Sequence, residues 1–150
     1  MAKLQTYLAL SSIRTYLEAQ HPAQVAALGV TSKIQDYLLG RRDPEALTAY
    51  DALLIATIPD RLGPLGDERT VLIPLDVTFV VLGSSEDEVI ERQIAYGDAL
   101  VNLVDDDRQL GGAVFGSTVF NPEILMPAPG SKQVGLTFVR LHIELNLLGG

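Results

Sequence analysis

The stretch that decides the fold is Val134–Leu148, VGLTFVRLHIELNLL. From Val139 to Leu147 apolar and polar residues alternate without exception. Neighbouring side chains of a β-strand point to opposite faces, so this pattern predicts a strand with one buried face and one wet or interfacial face. The polar face carries Arg140, His142, Glu144 and Asn146. A strand this long and apolar would promote aggregation if its edges were bare, so we expect it to close a sheet.

The alternation changes phase near Phe138. Leu136 and Phe138 fall on the face that further along carries Arg140 and His142. This change predicts a bend or bulge near Phe138, or a first half that is buried on both faces. We expect one half of the strand to pack within the subunit and the other half to meet a neighbouring molecule.

A second long alternating run, Val71–Leu82, predicts another strand, with Pro74 at an edge or bulge because proline cannot donate to a ladder. A long helix is predicted over Glu86–Asp105. It starts at the capping-box pattern Ser85-x-x-Glu88, and Gly97 allows it to approach the sheet closely. Ala113–Leu125 predicts a third strand, interrupted at Asn121-Pro122.

The N-terminal third reads as helical. Residues 3–20 show a narrow apolar stripe that should end at Pro22, and Ser32-x-x-Gln35 predicts a short capped helix over Lys33–Leu39. Residues 44–58 fit either a helix to Ile58 or a strand over Ala52–Ile58, and the β-branched content favours the strand.

These elements predict one α+β domain over residues 1–150, with a helical part at 1–48 and a sheet with the long helix at 50–148. The order gives a four-stranded, mostly antiparallel sheet built as β-hairpin, long helix, β-hairpin, with the N-terminal helices packed on it.

The charge is negative and unevenly distributed. The net charge of −8 makes the chain a poor candidate for gripping a phosphate backbone. Residues 1–42 hold five basic and two acidic residues, whereas residues 84–107 hold eight acids and one arginine, Arg92. No apolar run is long enough for a membrane span, so no membrane partner is expected.

Four acids should share one face of the long helix, since they recur at helical spacing: Asp87, Glu91, Asp98 and Asp105. This face is either a solvated surface or a functional one. A functional acidic face would line a passage for DNA, or would dock a basic patch of a neighbouring subunit such as Arg41 and Arg42.

The sequence offers no catalytic set. It has no cysteine, and its two histidines, His21 and His142, are predicted to be surface or interface residues. The triplet Asp105–Asp107 fails the EF-hand pattern, because Leu110 and Gly116 occupy the sixth and twelfth positions. No glycine-rich phosphate-binding motif is present. We therefore predict a non-enzymatic protein without a cofactor or metal.

The run ALVNLVDDDRQLGGAV, Ala99–Val114, followed by a strand, a loop and a final alternating strand, resembles the tail terminator or tail-completion proteins of tailed bacteriophages. The resemblance spans about residues 50–148, and Leu110-Gly111-Gly112 is its most family-like piece. It implies a virion protein that forms a ring, usually a hexamer, between the tail tube and the neck and lets DNA through its lumen. The alternative is a small α+β ligand-binding or regulatory domain that dimerises through its sheet.

Overall fold

The structure is a computed structural model and describes residues 2–40, 50–57, 63–65, 67–125 and 133–146. It contains two α-helices, α1 and α2, a short 3-10 turn, and seven strands. In chain order these are α1 Ala2–Ala27, β1 Ile34–Leu39, β2 Asp51–Thr57, β3 Gly63–Leu65, β4 Asp67–Gly83, α2 Glu86–Asp106, the 3-10 turn Leu110–Gly112, β5 Gly116–Val119, β6 Glu123–Leu125 and β7 Gln133–Asn146.

All seven strands join one mixed sheet, ordered β1-β2-β4-β7-β5, with β3 added to β4 and β6 added to β7. The prediction of a four-stranded, mostly antiparallel sheet is therefore wrong. The long strands β4 and β7 were predicted, and they pair antiparallel along the centre from Thr70↔Asn146 to Gly83↔Gln133. The additional strands arise at the edges, where pairing with a neighbour decides the conformation of short segments.

The predicted helix over Lys33–Leu39 is instead strand β1, which pairs parallel to β2. The helical part assigned to residues 1–48 therefore ends before β1. Ser32 does not cap a helix, because the residues that follow it are extended, although its hydroxyl accepts a hydrogen bond from the Ile34 N–H at 3.3 Å. Pairing with β2 places Tyr37 and Leu39 against the main core, so tertiary contacts override the capping signal.

Helix α1 runs through Pro22 instead of ending there. Val25, one turn further on, is completely buried in the core and holds this last part of the helix in place. The helix ends at Ala27, and Gly29 follows with a φ of 82°, the left-handed conformation that glycine adopts without strain.

Helix α2 confirms the predicted long helix and packs across β4 and β7. Ser85 is its N-cap residue, although its side chain makes no capping hydrogen bond. Gly97 faces the sheet: a Cβ there would lie 3.1 Å from Thr137 Cγ2 on β7 and 3.0 Å from Pro122 Cβ. The absence of a side chain thus permits the close approach predicted from the sequence.

The pairing of β7 with β4 is continuous through Phe138, so no bulge occurs there. Odd-numbered residues of β7 face the helices, and even-numbered residues face the opposite side of the sheet along the whole strand. The second option, burial on both faces, holds only in part: Leu136 and Phe138 are half-buried on that opposite side, and Leu136 packs against a small cluster of Ala52, Leu54 and Val80. On one side of β4, Pro74 pairs with His142 of β7. On the other side, β2 pairs with β4 as far as Leu75 and β3 pairs with it from Leu72, so Pro74 lies between the two pairings.

The chain leaves α2 through three consecutive residues with positive φ, namely Leu110 at 51°, Gly111 at 70° and Gly112 at 91°. Leu110 is strained there, because a β-carbon disfavours this conformation, but its side chain is buried in the core. Asp107 stabilises the turn by accepting hydrogen bonds from the N–H groups of Gln109 and Gly111 at 3.1 and 2.8 Å.

Gly111→Ala should destabilise the protein more than Gly112→Ala. Both substitutions place a β-carbon at positive φ, which costs about 1 kcal/mol. At Gly111 the new Cβ would also lie 2.7 Å from Tyr16 Cδ1 on α1, whereas at Gly112 nothing lies within 4 Å. Urea unfolding of the two variants measures the difference. Equal losses would show that the contact between Tyr16 and the turn contributes nothing.

Candidate functional site

Helices α1 and α2 lie on one side of the sheet, and among the described residues no helix covers the other side. We call this second side the open face. One half of it is apolar, where Leu38, Leu82, Val134 and Leu136 surround the buried trio Ala52, Leu54 and Val80. The other half is polar and aromatic.

The polar half forms a shallow pocket of about 420 Å³. It is lined by Asp76, Phe120, Asn121, Glu123, Phe138, Arg140 and His142. Arg140 donates from Nε to Asp76 Oδ1 at 3.2 Å, and the His142 ring packs edge-on against Phe120 with centroids 4.6 Å apart. The predicted site residues Arg140 and His142 are thus brought together here, and Glu144 follows on the same face.

The acids of α2 lie on the opposite side of the molecule. Asp87, Glu91, Asp98 and Asp105 are all exposed on the outer surface of the helix, away from the sheet. Glu91 and Asp98 flank a groove between α2 and the end of α1, whose remaining lining is Leu28, Val30, Ile94 and Ala95. Arg41 and Arg42, the predicted basic counterpart, lie outside the described residues.

The three consecutive acids at the end of α2, Asp105–Asp107, have separate roles. Asp105 pairs with Arg108 at 3.5 Å on the surface, whereas Asp107 stabilises the turn at Leu110–Gly112. Among the described residues, no three histidine, cysteine, aspartate or glutamate side chains are grouped as metal ligands.

A buried polar cluster between the sheet and α2 was missed by sequence reasoning. The Asp51 carboxylate, 2% exposed, accepts hydrogen bonds from the Leu82 N–H at 2.9 Å and from Arg92 Nε at 3.0 Å. The Tyr96 hydroxyl also donates to Asp51, and it accepts the Lys33 N–H at 3.0 Å. Burial, followed by the hydrogen bond to Asp51, raises the pKa of Tyr96 well above its usual value.

This cluster is structural. Both oxygens of Asp51 are occupied by donors within the protein, and a buried carboxylate so engaged is not available as a base. The sequence contained one signal, since Arg92 is the only basic residue among the acids of residues 84–107. Nothing local identified Asp51 as its partner, 41 residues away.

His21 was predicted at the surface, and that prediction is wrong. Its ring is completely buried, stacked on Phe79 with centroids 5.1 Å apart, and Nε2 lies 3.0 Å from the Tyr96 carbonyl oxygen. Among the described residues, Nδ1 has no hydrogen-bond partner. Burial lowers the pKa of His21 to about 4, the hydrogen bond to Tyr96 opposing this only in part.

Comparison with known protein families and with curated proteins found no match. None of the described helices has the length and apolar character needed to span a membrane.

Asp51→Ala should destabilise the protein by about 3–5 kcal/mol, because it leaves the buried Arg92 guanidinium without its counter-charge. Asp76→Ala is the matched control: it also removes an aspartate paired with an arginine, but Arg140 is 49% exposed, so the loss should be about 1 kcal/mol or less. Urea unfolding monitored by circular dichroism measures both. Equal losses would contradict a structural role for the buried pair.

The stability of the protein should fall as the pH drops from 6.5 towards 4. In the unfolded chain His21 takes up a proton near pH 6.5, whereas in the folded protein it stays neutral down to about pH 4. Protonation therefore favours the unfolded state across this window, by up to about 1.4 kcal/mol per pH unit.

The test for this pH effect is chemical denaturation of the protein and of His21→Gln between pH 7 and pH 4. His21→Gln keeps a side-chain donor for the Tyr96 carbonyl but does not titrate. Its free energy of unfolding should therefore decline less steeply as the pH falls, and the difference in slope should correspond to about one bound proton. Identical slopes would show that His21 does not titrate in this window.

Proposed function

We propose that this chain is a structural protein of a tailed-phage virion that forms a ring at the head–tail junction. The ring would terminate the tail tube, connect it to the neck and let DNA pass through its lumen. The likeness of Ala99–Val114 to tail terminators supports this proposal, and that run forms the second half of α2, the turn at Leu110–Gly112 and the approach to β5.

One observation carries the proposal: the fold presents two different surfaces on opposite sides. The outer side of α2 carries the exposed acids Asp87, Glu91, Asp98 and Asp105, and the opposite side of the sheet carries the pocket lined by Phe120, Phe138 and Arg140. A closed ring with cyclic symmetry above two needs two unlike, complementary patches on each subunit. A surface pattern of this kind suits head-to-tail assembly.

The charge supports a passive role towards DNA. The acids on α2 repel phosphates, so a lumen lined by that helix would let DNA pass without holding it. The alternative, in which Arg41 and Arg42 of a neighbour meet these acids, places the same surface at a subunit interface. In either case the partners are further copies of the chain, the tail-tube protein and the neck proteins.

The pocket on the open face favours a second candidate, a small ligand-binding or regulatory domain that dimerises through its sheet. Its opposed charges, Asp76 and Arg140, beside the rings of Phe120 and Phe138 suit a small zwitterionic or aromatic ligand.

Size-exclusion chromatography with light scattering, followed by negative-stain imaging, tests the proposal. We expect rings of a single size, either in solution at high concentration or at the ends of added tail tubes. A protein that stays monomeric in solution and leaves tail tubes uncapped would overturn the proposal. A dimer whose melting temperature rises saturably with a small molecule would support the second candidate.

A further inference from the structure

The two ends of α1 carry complementary surfaces. At its C-terminal end lies the groove beside α2, with a volume of about 290 Å³. Leu28 and Ile94 line this groove and remain 43% and 44% exposed. Glu91 and Asp98 stand on either side of Ile94, two helical turns or about 10 Å apart. The groove is thus an apolar floor between two carboxylates.

The N-terminal end of α1 has the opposite character. Tyr7 and Leu8 are neighbours in the sequence and are 57% and 55% exposed. Residues 2–17 contain two cations, Lys3 and Arg14, and no acid. This end therefore presents apolar side chains accompanied by positive charge.

The two surfaces cannot meet within one molecule. Leu8 and Leu28 are separated by 20 residues of a helix that continues to Ala27, which places them roughly 30 Å apart. Four of the nine large apolar side chains that are exposed among the described residues belong to these two surfaces. A neighbouring copy that supplied the other surface would cover all four.

We propose that the start of α1 in one subunit docks into the groove between α1 and α2 of the next copy. Tyr7 and Leu8 pack on Leu28 and Ile94, and Arg14 faces the carboxylates of Glu91 and Asp98. The contact joins unlike patches, so it propagates head to tail and closes a ring if the rotation permits. This inference rests on the proposed function, since it names the subunit interface of the proposed ring.

Two variants of the full chain test the docking. The groove variant, Glu91→Lys with Asp98→Lys, and the helix variant, Arg14→Glu, each place like charges across the contact. Each should raise the concentration needed for assembly about tenfold or more, because like charges at an interface are strongly unfavourable. Light scattering and analytical ultracentrifugation at physiological ionic strength measure this concentration.

Assembly of an equimolar mixture of the two variants tests the docking most directly. Every contact between unlike variants again pairs opposite charges, so the equimolar mixture should assemble as the unmodified protein does. The matched control is Asp36→Lys with Asp106→Lys, which makes the same charge change at two exposed acids that do not line the groove. At physiological salt, where charges are screened beyond about 8 Å, it should change assembly less than twofold.

The outcomes separate the two proposals. If the unmodified protein forms rings and the groove and helix variants form them equally well, this interface is wrong while the ring stands. A mixture that fails to recover assembly, or a control as damaging as the groove variant, also overturns the interface. If the unmodified protein forms no ring in solution or on tail tubes, the proposed function itself fails.

Discussion

The structure depends on one buried carboxylate. Asp51 begins β2 and binds the backbone of β4 at Leu82, while Arg92 and Tyr96 reach it from α2. Through the Tyr96 hydroxyl the same cluster holds the backbone at Lys33, just before β1. Removing a carboxylate and a guanidinium from water is costly, so their attraction and the added hydrogen bonds must compensate for it. The cluster acts through its geometry, because its hydrogen bonds form in only one relative position of three strands and α2.

The position of α2 determines which surfaces remain for assembly. The cluster fixes the first half of the helix, and the contact of Gly97 with Thr137 brings its middle close to β7. The acids of α2 therefore all point away from the sheet. His21 belongs to the same region, because its ring fills the space between Phe79 and Tyr96 and joins α1 to this core.

The surfaces left uncovered are unlike one another, and the proposed function depends on this difference. The groove beside α2 is apolar and acidic, the start of α1 is apolar and basic, and the open face has an apolar and a polar half. Two identical surfaces would favour a symmetric dimer, whereas unlike surfaces favour rings or filaments. Interior packing thus decides which side chains stay outside and are available to the proposed ring.

The sequence by itself determined the elements whose signal is periodic and long. The alternation in β4 and β7 and the helical spacing of α2 fixed these elements, because their side chains report burial locally. Tertiary structure alone decided the rest. Lys33–Leu39 became a strand because β2 offered a partner, and Leu136 became half-buried because a second small cluster formed on the open face. The pairing of Asp51 with Arg92, and the burial of His21 beside them, left no local pattern. The sequence around a charged residue does not indicate its ion-pair partner, because only the fold brings the two residues together.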